Sequence, residues 1–289
     1  MVKRALLLGH TGKMGLALGE VLSAGDYKVI EKNSNDFDAA DLNEVKVMIK
    51  EVKPDIVLNA VAFLGIDGCE KDPIKALKLN ALYPKLLAEL SNEDNFLLVH
   101  FSTDAVFNNI DNKIKSGLYV ESDSPNPLNM YGLTKYCGDC FIQAIAREHY
   151  IFRLPVLFGK SIRKDQFVEK MLQKIEEGNK NIRVSDDIVS SPSYSLDVAN
   201  ESRRILESEL PYGVYHVVNE GKVTLFELMH EIVQNLELDV KVERASYNDF
   251  PYVGIKNTNT PMTSEKLSPL RSWKEAVKDY TANLRGCKW

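Results

Sequence analysis

The sequence predicts an α/β protein, a doubly wound parallel Rossmann sheet with a smaller C-terminal α/β lobe for a substrate. Short apolar runs alternate with segments of helical periodicity through the first half, the pattern of a sheet covered on both faces. A glycine-rich turn lies directly between the first run and the first helix. After about Leu154 the alternation loosens, as expected where a second lobe begins.

The strands are read from continuous apolar runs: Ala5–Leu8, Tyr27–Ile30, Asp55–Ala60, Phe96–Phe101 and Tyr150–Leu154. Between them, Leu16–Leu22 is a compact apolar helix. Asp41 can cap a helix running through Val45, Met48 and Ile49. Asp72-Pro73 supplies an N-cap and a first-turn proline for a helix to about Leu90. Asn129 to about Glu148 is the next. In the second half, Gln166–Glu177, Asp197–Leu206, Leu225–Leu236 and Trp273–Leu284 read as helices and Tyr215–Val218 as a strand. Residues 246–264, rich in Asn, Thr and Pro, read as loop. The division expected is 1–154 for a NAD(P)-binding domain, rejoined by about 185–220, and 155–289 mainly for the substrate.

Composition excludes several classes. A net charge of −5 without a basic block leaves nucleic acid no electrostatic footprint. Met1–Leu8 is too short an apolar run for a secretion signal, and no run of 18 apolar residues exists. A cytoplasmic protein without a membrane partner is expected. Four cysteines are too sparse for a disulfide framework and suit a reducing compartment. Cys137 and Cys140 fall inside a helix and read as packing residues; the five histidines are scattered, so no metal site is expected. A small acidic protein of this kind can form a homodimer, though no motif shows it.

Gly9-His10-Thr11-Gly12-Lys13-Met14-Gly15 carries the first chemistry. Glycines let the backbone turn sharply and approach a pyrophosphate, and the helix start offers free N–H groups and a positive dipole end. The cofactor expected is NADPH or NADH. Glu31, 22 residues after Gly9, can accept from a ribose hydroxyl and favours NAD, while Lys32 beside it suits a 2′-phosphate; the two signals conflict. Asp41 with Leu42 can contact the adenine or simply start a helix. Asn59-Ala60-Val61-Ala62 ends the third strand with small residues across which a cofactor can lie.

Tyr131-x-x-x-Lys135 puts two side chains on one helical face. With 12 tyrosines, about one such pair is expected by chance, and Tyr252 and Lys256 form another in a loop. Tyr131 differs because it opens a helix just after a strand ending in Ser102-Thr103-Asp104, and strand C-termini are where open α/β sheets bind ligands. A hydride from the nicotinamide would reach a ketone carbon, Tyr131 would protonate the forming alkoxide, Thr103 would bond the same oxygen, and Lys135 would hold the ribose and lower the tyrosine pKa.

Together these residues resemble the extended short-chain dehydrogenases, and among them the dTDP-4-dehydrorhamnose reductases, over nearly the whole chain. The likeness rests on the glycine turn, Lys53-Pro54-Asp55-Ile56-Val57-Leu58-Asn59-Ala60, Asp67 with Glu70, Asn80, Ser102-Thr103-Asp104-Ala105-Val106-Phe107, Pro127-Leu128-Asn129-Met130-Tyr131-Gly132-Leu133-Thr134-Lys135 and Gly213-Val214-Tyr215-His216. It implies Thr103, Tyr131 and Lys135 as the catalytic set and a 4-keto-6-deoxy sugar nucleotide as substrate. It adds Asn80 and Ser102 to the cofactor side, and Asp104, Ala105, Val106, Phe107, Pro155, Val156, Ser191 and Pro192 to the substrate side, with Asp186 and Asp187 near them. The family often has tyrosine at Ala105, threonine at Leu64, Thr-Ser-Trp at Leu154-Pro155-Val156, and Arg-Pro where Lys256-Asn257 stands. Two other readings stay open: a nucleotide-sugar epimerase or dehydratase, although Asp104-Ala105 lacks the dehydratase Asp-Glu pair, and a non-catalytic NADP-binding regulatory subunit of the methionine adenosyltransferase type.

Overall fold

The computed structural model describes residues 2–109 and 117–287. Its first half runs β1 (Lys3–Leu8), α1 (Lys13–Ser23), β2 (Tyr27–Lys32), α2 (Leu42–Val52), β3 (Ile56–Asn59), α3 (Ile66–Lys71), α4 (Pro73–Leu77), α5 (Tyr83–Asp94), β4 (Leu97–Thr103), α6 (Met130–Ile145) and β5 (His149–Leu154). The second half runs β6 (Leu157–Phe158), α7 (Phe167–Glu176), β7 (Asn181–Ser185), β8 (Val189–Ser190), β9 (Ser193–Tyr194), α8 (Ser195–Leu206), β10 (Gly213–His216), β11 (Asn219–Glu220), β12 (Val223–Thr224), α9 (Leu225–Asn235), β13 (Lys241–Ala245), β14 (Leu270–Ser272) and α10 (Trp273–Cys287).

The main sheet has six strands in the order β10-β5-β4-β3-β1-β2, and every pairing is parallel. Its apolar runs follow from coverage on both faces. Ala5 and Leu7 enter the core shared with α1 and α8, while Leu6 and Leu8 point to the core shared with α2, α5 and α6. All four are fully buried, each leucine contributing about 1.5–3 kcal/mol. Because β10 pairs with β5 and α8 packs in the α1 core, residues between 195 and 216 lie with the first half. A separate core forms around α7, α9, α10 and the β7–β13 pair.

Between Asp72 and Asp94 the structure departs from a single regular helix. Asp72 caps α4 as expected, accepting from the Lys75 N–H at 3.0 Å, but residues 78–82 form a π turn. Pro84 is the reason: it has no N–H for the Asn80 carbonyl four residues back, and its ring would collide with it. The freed carbonyl presses on α6, where a Cβ on Gly138 would lie 2.3 Å from it.

Candidate active site

The glycine turn has the shape of a phosphate cradle. Gly9 has φ +84° and a Cβ there would meet the Ala60–Val61 backbone at 3.0–3.1 Å. A Cβ on Gly15 would lie 2.3 Å from the Gly9 carbonyl oxygen, so the first turn of α1 packs directly on the turn before it. Gly12 is the N-cap of α1, and no side chain caps it. The N–H groups of Lys13, Met14 and Gly15 are those a helix start leaves without intrahelical partners. Thr11 is half-buried within this turn. An open helix start over glycines that no side chain can replace fits a dinucleotide pyrophosphate.

Around it, the side chains of three residues expected at the cofactor are engaged within the protein. The Lys13 ammonium turns toward the second lobe, donating to the Leu157 carbonyl at 2.9 Å and pairing with Glu169 at 2.9 Å. The Glu31 carboxylate lies against Gly19 of α1, roughly 9 Å along the helix from its first residue at 1.5 Å per residue. Asp41 is a helix cap, accepting from the Asn43 and Glu44 N–H groups, with Leu42 beginning α2. Ala60, Val61 and Ala62 are half-buried beside the turn.

The strand β4 delivers Thr103, whose hydroxyl oxygen accepts from the Ala105 N–H at 3.1 Å and whose proton goes to Asp104 at 3.2 Å. This caps a short 3-10 turn, Asp104–Val106. Helix α6 presses against that turn: a Cβ on Gly132 would lie 2.1 Å from the Ala105 carbonyl oxygen. Gly132 therefore lets Tyr131 stand beside Thr103, close enough for the Thr103 side chain to act on the Tyr131 phenol. Burial pushes the Tyr131 phenol well above its usual value, with nearby Asp104, Cys69 and Asp139 adding to the rise and Thr103 opposing it. The sequence reading expected a lowered value; burial makes the direction the reverse.

Lys135, one turn along α6, is almost wholly buried. Its ammonium nitrogen lies 2.6 Å from the Phe101 carbonyl and 3.0 Å from His100 Nε2. Burial lowers its pKa to about 8, against the attraction of Asp139. Asn59, also fully buried, meets His100 Nδ1 at 3.0 Å. Asp104 is raised to about 6 by burial, with the Thr260 and Thr103 hydroxyls pulling it back.

Several other residues of the expected site make contacts within the protein. Asn80 uses its whole amide, accepting from Phe63 N–H at 2.8 Å and donating to the Phe63 carbonyl and the Thr134 hydroxyl; it fastens the loop after β3 to α6. Ser102 is buried beside the Asp139 carboxylate. Val106 and Phe107 are fully buried, because the 3-10 turn rotates them inward; Phe107 stacks on Tyr119 at 4.2 Å and lies under the Arg153 guanidinium. Pro155 and Pro192 are buried, and Ser191 both donates to and accepts from the Met262 backbone. Asp186 pairs with Arg244 and accepts from Thr224, while Asp187 holds Ser246 and Tyr247. Ala105 is nearly buried and Val156 half-buried.

Sequence reasoning missed the role of residues 253–263. That loop crosses the carboxyl edge of the sheet as a strap. Asp67 accepts from the Val253 N–H. Asn129 caps α6 at Gly132 and also donates to the Ile255 carbonyl and Asn257. Asn257 donates to the Phe107 carbonyl, and the Thr260 hydroxyl to Asp104 at 2.8 Å. The cluster of short polar residues was the available signal.

Residues 3–285 match the profile of the RmlD substrate binding domain family. The chain belongs to this family. Among relatives of this RmlD member is the spore coat polysaccharide biosynthesis protein SpsK of Bacillus subtilis, 28% identical over 96% of each chain. A dTDP-4-dehydrorhamnose reductase of Clostridium acetobutylicum superposes with a TM-score of 0.90 at 28% identity, covering 98% of this chain and 99% of that one. The dTDP-4-dehydrorhamnose reductase of Bacillus anthracis, solved in complex with NADP, does so with a TM-score of 0.90 at 26% identity, covering 98% and 100%. Among the described residues no helix is long and apolar enough to cross a membrane.

Proposed function

We propose that this chain is an NADPH- or NADH-dependent reductase acting on the 4-keto group of a nucleotide-linked deoxysugar. The observation that carries the reading is the meeting of Thr103 and Tyr131 at the carboxyl edge of a parallel sheet, one helical turn from Lys135 and on the same edge as an uncapped glycine turn.

Gly9, Gly12 and Gly15 with the start of α1 would hold the dinucleotide's phosphates, and Ala60 to Ala62 would flank it. When bound, the reduced nicotinamide supplies the hydride. The chain's own residues supply the rest. Tyr131 is a proton donor: raised above its ordinary value, the phenol stays protonated at neutral pH and can deliver its proton to the oxygen of a carbonyl being reduced. Thr103, fixed by the Ala105 N–H, orients that oxygen. Lys135 adds positive charge beside the phenol when protonated, which stabilises the tyrosinate after transfer. The strap over Asp104 and Asn129 would flank the sugar at this edge.

The test is to supply a dTDP-4-keto-6-deoxysugar with NADPH or NADH. Loss of the reduced-nicotinamide absorbance, with a product heavier by two hydrogens, is the expected result. Isomerised sugar without net cofactor oxidation would assign an epimerase, and cofactor binding without any conversion a regulatory module.

A further inference from the structure

The proton count along Asn59, His100 and Lys135 carries a conclusion beyond the reaction itself. The Asn59 carbonyl oxygen accepts from the Val61 N–H at 3.1 Å, which fixes the amide and leaves its NH₂ facing His100 Nδ1 at 3.0 Å. Nδ1 must then be the unprotonated, accepting nitrogen. His100 is fully buried, and burial holds its pKa well below the usual histidine value, so the ring is neutral and its one proton lies on Nε2. That proton points at Lys135 Nζ, 3.0 Å away. An ammonium there would set donor against donor. An uncharged amine accepts from Nε2–H and still donates to the Phe101 carbonyl at 2.6 Å.

We propose that Asn59 and His100 are positioning residues that favour the uncharged amine of Lys135, so that dinucleotide binding and protonation of Lys135 are linked. This rests on the reading of the cleft as a dinucleotide site. The groups facing Lys135 support the linkage. Asp139, one turn along α6, attracts a proton to it but is shared with the Arg153 guanidinium at 3.2 Å. Tyr131, Asp104 and Cys69 lie around the phenol end. A dinucleotide adds negative phosphates and hydroxyl acceptors, both of which favour the ammonium. Lysine charge then rises with the cofactor, beside a Tyr131 phenol that burial has raised.

Two measurements test the proposal. Nitrogen NMR of the cofactor-free full chain at about pH 8.5 should show His100 protonated on Nε2 and bare on Nδ1; the opposite tautomer overturns the proposal, and no variant is needed. Calorimetric titration with NADPH in buffers of different ionisation enthalpy at the same pH should show net proton uptake. Uptake should vanish in Lys135→Met and fall by more than half in His100→Phe. Asn59→Ala, which frees Nδ1 to carry the ring proton and Nε2 to accept from an ammonium, should lower it likewise. Binding without uptake in the parent, or uptake unchanged in His100→Phe and Asn59→Ala, overturns the linkage. Failure of NADPH to bind at all would end both the linkage and the cleft assignment, and the tautomer would then show whether the hydrogen-bond argument itself stood.

Discussion

The buried Lys13 ammonium, set in the glycine turn of the first lobe, pairs with Glu169 on α7 of the second at 2.9 Å. The same ammonium donates to the Leu157 carbonyl, so one side chain ties the glycine turn to both the strand exit and the smaller lobe.

Removing only one partner leaves an uncompensated charge in a dry place. Glu169→Gln should destabilise the protein by about 3–5 kcal/mol in denaturant titration. The double variant Lys13→Met, Glu169→Leu should recover much of that loss, because an apolar pair of similar volume replaces a desolvated ion pair.

Gly132→Ala should reduce activity as well as stability. Its Cβ would meet the Ala105 carbonyl, and separating α6 from the 3-10 turn displaces Tyr131 from Thr103. Overpacking of this kind costs about 1–3 kcal/mol. The rate should fall by about 100-fold for a misplacement of an ångström, measured as kcat with cofactor affinity followed separately.

Asp104 makes stability depend on pH with a definite sign. Its folded value, about 6, lies above its ordinary 3.8, so the fold prefers the protonated form. That contribution is complete below about pH 4 and is lost as pH rises through 6. Asp104→Asn removes the charge without removing the hydrogen-bonding shape. The variant should melt higher than the parent at pH 8, by an amount equivalent to about 1–2 kcal/mol after allowing for partial solvent access. The difference should disappear near pH 4.

Asn129 carries the α6 cap and two strap contacts at once. Asn129→Ala should cost about 1–2 kcal/mol, the upper range for a lost cap. It should also raise KM for the sugar nucleotide while leaving the NADPH dissociation constant close to the parent's. Equal losses of both affinities would show that the strap does not belong to the sugar side.

Local patterns legible in the sequence were those with a backbone cause. Continuous leucines in β1, the glycine turn, the Asp72-Pro73 cap and the Tyr131–Lys135 spacing each state their own geometry. What stayed hidden depends on contacts between distant segments. Nothing in Val106-Phe107 says that a 3-10 turn will rotate both inward, and nothing in Asn80 says that its amide will be used on Phe63 and Thr134. Glu31 stands at the right distance from Gly9 in sequence yet lies along α1 beside Gly19. His100 was passed over as one of five scattered histidines, because its meaning lies in Asn59 and Lys135, 41 and 35 residues away. The strap was invisible for the same reason: its partners Asp67, Asp104 and Asn129 come from three separate segments.

The most direct measurement of the central claim is the turnover of Tyr131→Phe, with its fold checked by melting and its NADPH affinity by calorimetry. The account predicts parent-like folding and cofactor affinity with kcat lower by about 100- to 10,000-fold. A folded, cofactor-binding Tyr131→Phe that reduces the keto sugar at the parent rate would contradict it.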